Sequence, residues 1–172
     1  MHFDVIIIGG GASGLMCAST AGQRGRRVLV LDSSNKVGKK ILMSGGGRCN
    51  FTNLFVTPEN YISANPHFCI SALNRYTQWD FIALVEKHSI PYHERKHGEL
   101  FCDDSAKDIL NLLLNECERG HVTIKTQCDI QSINTIDTVA APTNNARFKL
   151  ETNLGSFTAE SLVVASGGLS IP

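Results

Sequence analysis

The sequence predicts an α/β fold: a parallel sheet opened by a strand–helix–strand unit and extended by a small antiparallel β-meander. Three observations predict it. Two short apolar runs rich in β-branched residues, Phe3–Ile8 and Val28–Leu31, flank a segment that can form one helix. The first run leads directly into a glycine-rich turn, Gly9–Gly14. From Val122 onward the apolar residues change from a helical spacing to a period of two.

Each element follows from local pattern. Leu15–Arg24 carries Leu15, Met16, Ala18 and Ala21 at helical spacing, and Gly25 supplies a C-terminal cap. Val28–Leu31 ends at Asp32. Two apolar strands joined by a helix within about thirty residues make a parallel pair. Ser33–Asn53 is basic and glycine-rich and lacks sustained periodicity, so it is expected to be a long functional loop. Residues 66–90 are expected to be helical: Thr77-x-x-Asp80 is a capping box, and Phe81, Leu84, Val85 and His88 share a face. Ser105-x-x-Asp108 starts a second helix with Ile109, Leu112, Leu113 and Cys117 on its apolar side, and Gly120 closes it. Val122–Lys125, Asp129–Ile133, Arg147–Thr152 and Ser156–Thr158 read as short strands, with a loop at Ala140–Ala146 and a turn at Asn153–Gly155. Ser161–Ala165 reads as a further buried strand ending in Ser166-Gly167-Gly168. The expected organisation is therefore 1–53 (strand–helix–strand and glycine loop), 54–121 (helical), 122–160 (meander) and 161–172 (returning strand and turn).

Composition narrows the function classes. The 172 residues hold 16 Lys+Arg and 16 Asp+Glu, a formal charge of zero. This argues against a nucleic-acid binder that works through bulk positive charge. No apolar run approaches a membrane-spanning length, and the N-terminus lacks the basic start of a signal peptide. Six cysteines without a C-x-x-C pair, and no secretion signal, predict free thiols in the cytoplasm.

Gly9-x-Gly11-x-x-Gly14 stands in the context a dinucleotide site requires, after a strand and opening a helix. Gly9 permits the tight turn, Gly11 lets the backbone approach a pyrophosphate, and Gly14 lets helix and strand pack closely. The helix N-terminus offers free N–H groups and a partial positive charge to the phosphates. Asp32 lies where an acid accepts the ribose hydroxyls, and it would repel a 2′-phosphate. The fingerprint alone leaves NAD and FAD open. The segment after Asp32, KVGKKILMSGGGRCNFTN, favours FAD. It stands where an NAD domain would begin its next helix, and its three glycines let backbone amides crowd a ligand beside cations that suit phosphate or an electron-rich flavin.

That segment, together with DVIIIGGGASGL, HGELFCDDSAKDIL and SLVVASGGLSIP, resembles the BaiN/YhiN-type bacterial flavoproteins, described as NAD(P)/FAD-dependent oxidoreductases or aminoacetone-oxidase-family FAD-binding enzymes. The resemblance runs from Met1 to Pro172 and implies a Rossmann-like FAD-binding domain. It implies that Gly9, Gly11, Ala12, Ser13 and Gly14 hold the pyrophosphate and Asp32 the adenosine ribose, where the family more often has Glu. It implies that Lys40, Ser44, Gly46, Gly47, Arg48, Cys49 and Asn50 line the central and flavin part, that Ile130 touches adenine through its backbone, and that Ser166, Gly167 and Gly168 return to the flavin. Family members continue past this turn into a substrate domain and a segment that completes the flavin site. The expectation is thus an N-terminal portion with little turnover by itself, prone to self-association through uncovered surface.

The expected activity is hydride or electron transfer through FAD to or from a small molecule, with NAD(P)H a candidate donor and no catalytic acid or base assignable here. Two other readings stay open: a truncated, non-catalytic nucleotide-binding module, and an NAD-dependent dehydrogenase. Cys49 has no second cysteine close in sequence and is expected to be structural or to contact flavin. Cys102 is expected to be structural. His88, His93 and His97 lack metal-site spacing, Asp103 and Asp104 are expected at a helix start, and Trp79 in a core or interface.

Overall fold

The computed structural model describes residues 1–136 and 145–168. In chain order the elements begin with β1 (His2–Ile8), α1 (Ala12–Gln23), β2 (Val28–Leu31), α2 (Lys39–Met43) and β3 (Asn50–Asn53). They continue with α3 (Ile70–Arg75), α4 (Gln78–Lys87), β4 (Tyr92–Glu94), β5 (Glu99–Cys102) and α5 (Ala106–Arg119). The last are β6 (Thr123–Lys125), β7 (Ile130–Thr135), β8 (Phe148–Thr152) and β9 (Gly155–Val164). Two compact units result, one of residues 1–40 and 113–172, the other of residues 41–112. Among the described residues no helix is long and apolar enough to cross a membrane.

The first unit holds a six-stranded sheet in the order β6-β2-β1-β9-β8-β7. β6, β2, β1 and β9 run parallel, and β9, β8 and β7 antiparallel. The parallel core is dry: Ile6, Ile7, Leu29 and Val30 are fully buried. The start of β9 and the middle of β8 pack with it, joining Phe157, Ala159 and Leu150 to Phe3, Ile6 and Leu31 in one cluster. α1 lies close to the end of α5, because a Cβ on Gly22 would stand 2.5 Å from the Gly120 carbonyl oxygen. There the Cys117 thiol donates to the Leu15 carbonyl (3.3 Å).

Two expectations about the end of the chain are corrected. Ser156–Thr158 and Ser161–Ala165 are not separate strands: β9 is one ten-residue strand. Ala159-Glu160 contains no turn former, so the chain leaves the meander by continuing straight into the parallel sheet, with Thr158 and Ala159 paired on both sides. Nor is the second half of β9 buried. β8 pairs with β9 only as far as Ala159, so residues 161–164 have a strand neighbour on one side alone among the described residues, and Val164 is 70 % exposed. The expected loop at Ala140–Ala146 falls for the most part, and residues 169–172 of the final segment fall wholly, outside the described residues.

The second unit contains a feature the periodicity hid. Residues 54–121 include strands as well as helices: β4 and β5 form a hairpin, and β3 adds to give an antiparallel sheet ordered β3-β5-β4. The turn is made by His97 and Gly98, both in the left-handed region (φ 63° and 77°). The stretch expected to be one loop, Ser33–Asn53, contains α2, a 3-10 turn at Ser44–Gly47, and β3. One sheet face meets α4, where the Phe51 ring packs against Phe81 and Tyr92 at 6.0 and 5.5 Å between centroids. The α4 start is as expected: Thr77 N–H donates to Asp80 (2.7 Å) and the Thr77 hydroxyl accepts from Asp80 N–H.

Candidate dinucleotide site

In the first unit the turn between β1 and α1 is built by close approach. Gly9 has φ +106°, its N–H donates to the Leu31 carbonyl (2.8 Å), and a Cβ there would lie 2.4 Å from the Ala165 carbonyl oxygen. A Cβ on Gly14 would lie 1.9 Å from the Gly9 oxygen. Gly11 differs: a Cβ there would have nothing within 4 Å. It is the N-cap of α1, no side chain caps the helix, and the first turn holds no acid. Ala12 and Ser13 are exposed beside it. An uncapped, positively polarised helix end over a space that only a missing Cβ keeps open fits a pyrophosphate.

Asp32 ties this turn together. Its Oδ2 accepts from Gly10 N–H (2.7 Å) and its Oδ1 from Ser34 N–H (2.8 Å). Each oxygen keeps a further lone pair, so the carboxylate still suits a ribose. Gly10 was missed by the motif, which leaves that position free. A Cβ there would stand 2.3 Å from Val37 Cγ1, and the Gly10 oxygen accepts from Gly38 N–H (2.8 Å). The signal available was the run of three glycines. The turn after β9 meets the turn after β1, with Ser166 Cα 3.0 Å from where a Gly9 Cβ would be. Lys40 Nζ donates to the Gly168 carbonyl (2.8 Å), and Gly167 has φ +78°. Lys40 is thereby joined to the Ser166–Gly168 turn. Ile130 begins β7 and packs against the core cluster, two residues after Cys128, whose N–H donates to the Asp32 carbonyl (3.0 Å).

The second unit holds the other set. Gly45, Gly46 and Gly47 all have positive φ (56°, 64° and 88°), and so does Cys49 (51°). A Cβ on Gly45 would lie 2.7 Å from both Asn50 N and the Phe101 ring, whereas Gly46 and Gly47 face open space. Ser44 Oγ is shielded from solvent and makes no hydrogen bond of good geometry to a described residue. Arg48 is exposed, and its carbonyl accepts from Cys102 N–H (3.0 Å). The Asn50 carboxamide, with nitrogen toward the Thr52 and Leu100 carbonyls, donates to both (3.0 and 3.2 Å). A shielded hydroxyl with, among the described residues, only the Cys49 thiol near it, beside two open glycines, fits a polar ring system laid on the loop.

Cys49 does have a cysteine neighbour in space. Burial is the main cause that raises the Cys102 thiol to about 12, and Cys49 adds to it. Burial also raises Cys49, offset in part by the Ser44 hydroxyl. Both therefore stay protonated near neutral pH and are poor nucleophiles. Burial likewise pushes Cys117 to about 11. Native protein at pH 8 is expected to react with a thiol-reactive disulfide first at the half-buried Cys69. Cys49, Cys102, Cys117 and Cys128 are expected to react only after unfolding, and mass mapping of labelled cysteines checks this.

Two minor expectations change. Asp103 does not serve the helix start, since Asp108 and Ser105 make that cap while Asp103 pairs with His93 at 2.6 Å. Trp79 is 58 % exposed and so is not a core residue.

A glycine cradle after the first strand of a parallel sheet, an acid closing the second strand and a meander rejoining that sheet define the Rossmann-type class of dinucleotide-binding folds. Within that class the chain belongs to the family of the HI0933-like protein Rossmann domain, which matches residues 3–172. It is 54% identical over 171 residues to the ribosomal RNA dihydrouridine synthase of Escherichia coli K12, covering 99% of this chain and 41% of that protein. It is 47% identical to the protein of the same name from Haemophilus influenzae, covering 99% and 42%. It is 27% identical to the 3-dehydro-bile acid delta(4,6)-reductase of Clostridium scindens, covering 94% and 38%. The chain thus spans about two-fifths of the length of these relatives. Among solved structures it is similar in fold to the 3-ketosteroid-delta4-(5alpha)-dehydrogenase of Rhodococcus jostii RHA1, with TM-score 0.67 and 16% identity, covering 97% of this chain and 46% of that one. A glycine oxidase from Geobacillus kaustophilus gives 0.56 and 15%, covering 96% and 55%.

Proposed function

We propose that this chain is the FAD-binding portion of a cytoplasmic enzyme that reduces uridine in ribosomal RNA to dihydrouridine. The 54% identity across nearly the whole chain to a protein of that name carries the reading. In it, the α1 N-terminus and Gly11 hold the pyrophosphate, Asp32 holds the adenosine ribose, and Lys40 braces the Ser166–Gly168 turn at that site. Gly46 and Gly47 give the flavin ring backbone without side chains, and Ser44 Oγ gains a partner. When bound and reduced by NAD(P)H, the proposed electron source, the flavin would supply the hydride that, together with one proton, saturates the uracil double bond. Neutral formal charge argued against a nucleic-acid partner. That argument concerns bulk positive charge over this portion alone, and is compatible with individual cation–phosphate contacts here and with further RNA contacts in the additional length of the relatives.

A second reading, reduction of an unsaturated small molecule, is favoured by the bile-acid reductase relative. One experiment separates them. The gene is disrupted in its host, and ribosomal RNA is digested and analysed by mass spectrometry. The proposal expects a dihydrouridine to revert to uridine, lighter by two hydrogens, and to return on complementation. Unchanged nucleoside content would exclude the RNA reading.

A further inference from the structure

We infer that Arg95, laid on the Phe101 ring and aimed by His93, is a phosphodiester-binding group for the RNA substrate, an inference that rests on the RNA reading above. The residues lie on the β4–β5 hairpin. His93 and Phe101 are register partners, so their side chains share a face, and Arg95 follows two residues later on that face. The Arg95 guanidinium sits 4.1 Å from the Phe101 centroid, and the His93 ring stacks on Phe101 at 6.4 Å with 20° between planes.

The hydrogen bonds form a chain with one direction. His93 Nδ1 donates to Asp103 Oδ1 (2.6 Å), which leaves the Nε2 lone pair to accept from Arg95 Nε (3.3 Å). The backbone adds a tie, since Arg95 N–H donates to the Glu99 carbonyl (2.8 Å). A guanidinium has five N–H donors, and this arrangement uses the one on Nε. Among the described residues the two terminal nitrogens have no partner. Glu94 and Glu99, the acids nearest along the hairpin, make no ion pair with Arg95 there, and Asp103 is engaged by His93.

Most surface arginines lose rotamer freedom when they grip an anion. This one is already held by a ring and a histidine, so its planar fork is pre-organised for two phosphate oxygens. Its place also fits a substrate contact. The Phe101 ring that carries Arg95 is the ring whose edge forces residue 45 to be glycine, in the loop proposed to receive flavin. The exposed Arg48 ends that same loop, and the exposed Lys96 stands in the hairpin turn. Phosphodiester is favoured over carboxylate because the two relatives with the highest identity named above are ribosomal RNA dihydrouridine synthases.

The test uses the 172-residue chain and a fluorescent uridine-containing oligoribonucleotide, with anisotropy read over a range of salt. Arg95→Ala is expected to weaken binding about tenfold and to lower the salt slope by about one. Arg95→Lys restores only part, because an ammonium lacks the fork and the stacking. His93→Ala, a positioning change, weakens binding by about threefold while keeping the salt slope, since the charge remains. Melting temperature and FAD retention are read on each variant to establish that it is folded. Equal affinity and slope for Arg95→Ala and the unchanged chain would overturn the inference. So would absence of RNA binding by the unchanged chain, or full displacement of RNA by low-millimolar inorganic phosphate, which would assign the fork to the free ion. Dihydrouridine content after gene disruption decides the RNA reading separately.

Discussion

Replacing Gly11 by alanine is expected to abolish FAD retention and leave the fold intact. The Gly11 backbone (φ −83°, ψ −170°) is open to any residue, and an added Cβ would meet no atom within 4 Å. Alanine there restricts the unfolded chain, so stability should stay equal or rise by up to about 1 kcal/mol. The new methyl, however, fills the space in front of the uncapped α1 N-terminus. A pyrophosphate held off by one methyl loses its backbone N–H contacts, and affinity should fall at least about 100-fold, close to 3 kcal/mol. Thermal melting and a flavin titration on the same preparation check both halves.

Gly14→Ala is expected to do the opposite. Its Cβ would stand 1.9 Å from the Gly9 oxygen, and that atom belongs to the backbone, so no side chain can swing away. α1 must lift off β1 or the turn must deform. Overpacking of this kind costs about 3 kcal/mol, a fall of roughly 10 °C in melting temperature for a chain of this size. Lost FAD binding would then follow from lost structure, and circular dichroism without flavin would show the damage. These two outcomes together would show that one motif contains a glycine kept for the ligand and another kept for packing.

The sequence made the first unit legible because its signals are local. Val28–Leu31 was read with the bounds that the structure shows, and Gly9 and Gly14 sit in the tight turn and the close helix–strand packing their spacing implied. Gly10 was not legible, since its need arises from Val37 and Asp32, which the fold brings to it from more than twenty residues away. The β4–β5 hairpin was hidden for a different reason. Its outward residues are charged, and its turn uses His97 in the left-handed region, where glycine or asparagine is the usual signal. The long β9 was divided in two because its apolar pattern changes where its neighbours change. The cysteines show the same limit: Cys49 and Cys102 are far apart in the chain, and only strand pairing between β3 and β5 brings their segments side by side.

The central claim is that this chain holds FAD on the Gly11 cradle. It is tested most directly by mixing purified protein with excess FAD, desalting it and recording the visible spectrum, with Gly11→Ala treated in parallel. The account predicts flavin bands that travel with the unchanged chain at about one flavin per chain and are lost from the variant. Flavin that elutes free from both, or stays equally with both, would contradict it.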